Sequence, residues 1–179
     1  MEQLRMYFEK DSVKDCPLPE GFSFEYFRGS AEEIADWVKI CRQGLIGENG
    51  SEDDFRTTEV EMPGVVPERD IVFAVSEKGE RAATTTFFID PATGEGLLHM
   101  VCCREEFRGL GIGNAMVSLG LSELLSRGAK RVRLKTDDWR IPAIRAYERF
   151  GFVPDTEGEG MKERWDAIAE KIAAMKAEK

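Results

Sequence analysis

Histidine is almost missing from this chain of 179 residues, since His99 is the only one. That argues against a metal centre or a nucleophilic triad built on imidazole, and the adjacent acids Asp137 and Asp138 supply no recognisable ligand set either. Cysteine is also sparse: Cys16, Cys41, Cys102 and Cys103 show no CxxC spacing, and two of them adjoin inside an apolar run. Free, buried thiols are therefore expected, rather than a disulfide framework or a metal site. No apolar run approaches the roughly 18 residues of a membrane span. The opening "MEQLRMYFEKD" has neither a long apolar core nor a small-residue cleavage site. Basic surface is scarce too, and a formal charge of -9 opposes a nucleic-acid footprint. These absences lead to the expectation of a cytoplasmic protein with no membrane or nucleic-acid partner.

What is present can bury a sizeable core. The hydrophobic content of 42% suits one domain spanning residues 1–179, with residues 1–20 read as an N-terminal extension. "FSFEYF", Phe22 to Phe27, alternates like a strand, and Ser30 with Glu33 forms a capping box for a helix over Ala31 to Cys41. A polar, glycine-rich stretch follows, with a short helix expected near Ser51 to Glu59 and irregular chain through "EMPGVVPERD". Residues 71–103 read as three strands joined by short turns, which favours antiparallel neighbours. A helix over Gly111 to Ser126 then leads to the strand "KRVRLKT". At 1.5 Å per residue that helix is roughly 24 Å long. Trp165, Ile168, Ala169, Ile172 and Met175 recur at helical spacing and mark a C-terminal helix over residues 161–179, expected to pack on the domain.

Two constellations carry chemistry. In "EEFRGLGIGNAM", glycines at 109, 111 and 113 permit a tight turn, close approach of a ligand to backbone amides, and a helix N-terminus that favours an anion. A pyrophosphate suits that site. The stretch is not GxGxxG, and no GxxxxGK[ST] is present, so dinucleotide and P-loop readings fail. Downstream, "TDDWRIPAIRAYERFGF" has Pro142 in a first helical turn, Tyr147 on the helix and Gly151 as its stop.

"RGLGIG", a helix, a strand and then "AIRAYERFGF" resemble the GNAT superfamily of acyl-CoA-dependent N-acyltransferases, with Arg108, Gly111 and Gly113 matching its Q/R-x-x-G-x-G/A pattern. The likeness covers roughly Ile71 to Pro154. It implies an α/β fold whose mixed sheet has a splayed central strand and flanking helices. It also implies acetyl-CoA as the acyl donor, with pantetheine along Met100, Val101, Cys102 and Cys103. The pyrophosphate would lie against Arg108, Gly109, Leu110, Gly111, Ile112 and Gly113. Tyr147 matches the family's general acid toward the departing thiolate. The sequence departs from the family at Arg140, where asparagine is frequent, and that arginine is read as a contact to a CoA phosphate, as closing an acidic pocket, or as facing water.

His99 has a suitable ordinary pKa for the base that the acceptor needs, with Glu95 and Asp90 as water-linked alternatives. The expected reaction is direct attack by a primary amine, on a small molecule, without a covalent enzyme intermediate. A protein or peptide acyltransferase and a noncatalytic acyl-CoA-binding module are the alternative readings. A homodimer is left open, and no metal is expected.

Overall fold

The computed structural model describes residues 2–177. The expected C-terminal helix thus extends at residues 178–179 outside the described residues, as does residue 1. Seven strands form one sheet in the order β2-β3-β4-β5-β6-β1-β7. Phe22–Tyr26 (β2), Ile71–Ser76 (β3), Arg81–Ile89 (β4) and Gly96–Cys103 (β5) pair antiparallel in sequence order, giving the meander that the short turns predict. Val132–Thr136 (β6) joins β5 in parallel through the intervening helix Ile112–Ser126 (α4).

The N-terminal residues are not an extension throughout. Leu4–Phe8 (β1) pairs antiparallel with the whole of β6, from Leu4 opposite Thr136 to Phe8 opposite Val132. Leu4, Met6 and Phe8 alternate into the core, so the strand is fixed by burial on one face. Val153–Pro154 (β7) pairs with its other edge, supplying a short strand just before the loop-like "TEGEG".

Helix α1 (Ala31–Cys41) carries the expected capping box, in which Glu33 N–H donates to Ser30 Oγ and Ser30 N–H to Glu33 Oε2. The short helix Glu52–Phe55 (α2) continues into a π-helical turn, Arg56–Val60, closed by Glu61 N–H donating to Arg56 O at 2.8 Å. Within the stretch expected to be irregular, Pro67–Asp70 forms one more short helix (α3).

Helix α4 lies against β4 and β5. Its close approach needs Gly120, where a Cβ would stand 2.5 Å from Leu98 Cδ1 and 3.4 Å from Phe87 Cδ1. Helix Ile141–Phe150 (α5) ends at Gly151, which adopts the left-handed φ of 102° that terminates helices readily. Helix Met161–Ala177 (α6) buries Met161, Trp165, Ile168 and Ile172 in the main core. Trp165 Nε1–H donates to Asp155 O at 2.9 Å, and Arg164 Nε to Asp138 at 3.0 Å.

The role of β1 gives a direct test. Met6→Ala is expected to lower stability by about 2–5 kcal/mol, the range for truncating a buried methionine. Urea unfolding measures this, and a loss below the level typical of surface changes would return residues 4–8 to the status of an appendage.

Candidate active site

Residues 108–114 place bare backbone at the start of α4. Gly109 and Gly111 take positive φ values of 83° and 91°, which side chains with a Cβ adopt at a cost. Ala115 N–H is bonded to Gly111 O at 3.1 Å, so the N–H groups of Ile112, Gly113 and Asn114 precede the helical ladder and have no partner within it. Gly113 has an ordinary φ, and a Cβ there would meet nothing within 4 Å. Neither conformation nor internal packing requires that glycine, and it borders an open cavity. The turn therefore suits a phosphate-bearing ligand that approaches the main chain.

Arg108 is anchored rather than free. Its Nε donates to Cys103 O at 3.2 Å, its Nη2 to Gln43 O at 3.0 Å, and its Nη1 pairs with Glu105 at 3.1 Å. The side chain ties the turn to the end of β5 and to the chain leaving α1.

The central strand is splayed. Ladder pairs with β6 are limited to Gly96 with Val132 and Leu97 with Arg133. On the other edge, Thr86 opposes His99 while Thr84 opposes Cys102, so Thr85 faces two residues of β5. That is a bulge, and Met100 within it has φ 48°, the one positive value among described non-glycine residues.

Two cavities meet at this gap. The first, about 680 Å³, is bordered by Val101, Cys102, Cys103, Arg108, Gly109, Gly111, Ile112 and Gly113, with Arg140 and Tyr147 opposite. The second, about 540 Å³, is bordered by His99 and Met100, by Leu45, Ile46, Thr58 and Met62 from the segment after α1, and by Lys135. Val101, Arg140 and Tyr147 border both. Of the residues expected along the cofactor, Met100 thus faces the second cavity. Leu110 borders neither, and its side chain is exposed. Gln43, Asn114 and Trp139 border the first cavity without having been singled out from the sequence.

Tyr147 is buried, and desolvation holds its phenol above the ordinary value of 10.0, against the lowering influence of Arg140. It is therefore protonated throughout the neutral range. Arg140 precedes α5, and its Nη2 makes a long contact, 3.5 Å, to Val101 O. It thus stands over the gap, where an asparagine would be shorter and uncharged.

His99 is half-buried, its Nε2 lying 3.3 Å from Thr58 O. Desolvation and the nearby Lys135 charge bring its pKa down to about 4, despite the contact with Thr58. The ring is neutral at pH 7, with Nε2–H as donor and Nδ1 as the remaining acceptor. Of the alternative acids, Asp90 and Glu95 pair with Arg133, at 2.5 and 3.2 Å. Burial pushes the Cys103 thiol up to about 11, and the Cys102 thiol donates to Ile40 O. All four cysteines are free.

One buried residue, next in the chain to the cavity-lining Thr58, escaped the sequence. Glu59 is 0% exposed on the π-helical turn, and its Oε1 accepts from Trp37 Nε1 at 3.1 Å and from Thr86 Oγ1 at 2.9 Å. Its Oε2 is buried without a partner among the described residues. Desolvation outweighs both hydrogen bonds and raises the carboxyl from 4.5 to about 8. Within "SEDDFRTTEVE" it looks like one solvated acid among many, and the only hint is its spacing of four from the apolar Phe55.

A phosphate-suited glycine turn, a splayed strand and a buried tyrosine at one gap define an acyl-CoA-dependent transferase fold. Residues 31–152 match the Acetyltransferase (GNAT) family, and the chain belongs to it. Two curated relatives are mycothiol acetyltransferases. The one from Corynebacterium jeikeium is 35% identical over 63 residues, covering 35% of this chain and 18% of that protein. The one from Corynebacterium efficiens is 26% identical over 161 residues, covering 85% of this chain and 54% of that protein. The chain therefore spans at most about half of these relatives. Among solved structures, a GCN5-related N-acetyltransferase from Sphaerobacter thermophilus superposes with TM-score 0.65 at 22% identity, over 85% of this chain and 48% of that one. That likeness shows the fold.

The Glu59 carboxyl makes stability depend on pH. Between about 4.5 and 8 the folded state retains a proton that the unfolded chain has released, so stability falls as pH rises and the loss is complete above the folded pKa. Glu59→Gln is expected to remove this part of the slope. Urea midpoints at pH 6 and 9 check it: the variant gains relative to the parent at pH 9, and equal slopes for both proteins would refute the assignment.

Proposed function

We propose that this chain transfers the acetyl group of acetyl-CoA to the primary amine of a small molecule. The observation that carries the reading is that the two cavities share Val101, Arg140 and Tyr147 as a common border, beside the gap at β5. One side suits the donor and the other the acceptor. The amides of residues 109–114 would hold the pyrophosphate, and the β5 backbone beyond Leu97, which lacks a β6 ladder partner, would hold the pantetheine arm. Acetyl as the acyl group is supported by the family and by the names of the curated relatives.

Acetyl-CoA supplies, when bound, a thioester carbonyl open to a nucleophile. The chain's own residues then have separable tasks. Val101 and its neighbours leave backbone groups free to orient that carbonyl. Lys135 and Arg140 border the acceptor cavity with positive charge, which disfavours the ammonium form and favours the neutral, nucleophilic amine. A nitrogen–carbon bond forms as the carbon–sulfur bond breaks. Tyr147 gives its phenolic proton to the departing sulfur, and the proton lost by the amine restores the phenol through solvent.

His99 is assigned here to positioning rather than to the base role expected of it. A ring pushed to about 4 is a weak proton acceptor at neutral pH, whereas its contact to Thr58 O joins the β5 strand to the cavity roof. Direct attack is favoured over a cysteine nucleophile: burial keeps the Cys103 thiol protonated, and the Cys102 thiol, lowered by its hydrogen bond with Cys41, is turned to Ile40 O.

Equilibrium dialysis with acetyl-CoA, followed by turnover of Tyr147→Phe, tests the reading. Saturable retention is expected, with kcat lowered about 100-fold in the variant and acetyl-CoA affinity within about twofold of the parent. Absence of retention would overturn donor binding, and unchanged turnover under chemistry-limited conditions would remove Tyr147 as the acid.

A further inference from the structure

The second cavity has an ionic imbalance that an amine alone does not answer. Its walls are largely apolar, formed by Leu45, Ile46, Met62, Phe88, Leu97 and Leu98. Its ionic groups fall into two sets. Asp90 and Arg133 neutralise one another within the wall, and Arg133 also reaches Glu95. Lys135 and Arg140 form no ion pair among the described residues. Asp137, the remaining acid at the rim, is joined to the neutral Gln3 Nε2 at 3.2 Å.

The two unpaired cations lie on the same side as the acceptor chemistry. Lys135 follows Arg133 by two residues on β6, so both project from the sheet face opposite the buried Val132, Leu134 and Thr136. That face also carries His99, whose protonation the Lys135 charge opposes. In a chain of formal charge -9, two unpaired cations set against the single unpaired acid Asp137 leave this apolar cavity with a net positive charge, opposite to that of the whole molecule. They repel a plain ammonium ion and attract an anion.

We infer that the acceptor carries a carboxylate on the same small skeleton as its amine, with an apolar body, as in a hydrophobic α-amino acid, and that Lys135 reads that carboxylate. The inference deepens the acetyltransferase reading and rests on it. The carboxylate meets the Lys135 ammonium, with Arg140 adding charge nearer the gap. The apolar body fills the walls. The amine, held beside Arg140 and Tyr147, loses its proton more readily than in water because the cations around it disfavour the ammonium. A cavity of about 540 Å³ lies in the small-molecule range.

The test compares L-phenylalanine, L-phenylalaninamide and 2-phenylethylamine as acceptors for the parent chain, Lys135→Ala and Lys135→Arg. Phenylalanine is expected to have the highest kcat/KM in the parent, ahead of the amide even though the amide's amine is the less basic and more often neutral. Lys135→Ala is expected to raise KM for phenylalanine about tenfold, as for loss of one charged hydrogen bond. The effect of the lost charge on the amine's protonation is common to all three acceptors, so kcat/KM for phenylalanine is expected to fall about tenfold further than for the two uncharged-tail amines, and Lys135→Arg retains the preference. Equal kcat/KM for the three acceptors, or a carboxylate preference that survives in Lys135→Ala, would overturn the assignment. Retention of acetyl-CoA in dialysis with turnover of none of the three would overturn the acceptor class and leave donor binding standing. No retention would instead defeat the acetyltransferase reading itself.

Discussion

The parting of β5 from β6 is the constraint on which the site depends. Had their ladder continued past Leu97 and Arg133, the backbone beyond would be paired along its length and no gap would join the two cavities. Each strand is held by its other neighbour. β6 has five ladder positions with β1, so its backbone is satisfied without β5 along most of its length. β5 is held by β4, and the bulge at Met100 bends it just where the separation begins. A positive φ at a methionine costs on the order of 1–3 kcal/mol and persists where surrounding packing fixes it. Here β4 on one side and the cluster of Trp37, Ile40 and Phe73, against which Met100 packs, supply that packing.

The two faces of this sheet differ in chemistry, and burial decides which groups bear charge. The face under α4 is dry, with Phe87 and Leu98 against the helix. The opposite face carries Thr86, Glu59, His99, Arg133 and Lys135. Desolvation there neutralises both signs: it keeps Glu59 protonated at neutral pH and His99 unprotonated. Arg133 is matched by its carboxylates. The field in the second cavity is thus set by Lys135 and Arg140 against Asp137, and it is net positive although the chain as a whole is acidic.

Features of the site that rest on local chemistry were legible in the sequence. The glycine turn, the helix after it, the tyrosine helix with its glycine stop, the capping box at Ser30 and the three-strand meander each depend on residues close together in the chain. What was not legible depends on partners far away. "LRMYF" alternates as a strand should, yet its place beside β6 follows from pairing across more than 120 residues. The contact between Arg108 and Gln43 O, which ties the turn to the chain leaving α1, joins residues 65 apart. Glu59 reads as solvated until Trp37 and Thr86 close over it. Composition gives no sign of a bulge at Met100, because methionine has no preference for such a backbone.

At the roof of the second cavity, Leu45, Ile46, Thr58 and Met62 come from the segment between α1 and α3. Several contacts hold it down. Arg42 Nε donates to Gly50 O at 2.8 Å, Phe55 packs against both Phe27 and Trp37, and Glu59 anchors the π-helical turn from beneath. Lifting this segment would expose Phe55 and leave the Trp37 N–H without its acceptor. The same anchoring brings Thr58 O to His99, so the roof and the strand beside the gap are joined at one hydrogen bond. Fixed in this way, the segment that borders the second cavity is held from the α1 side through Phe55 and Glu59 and from the β5 side through Thr58.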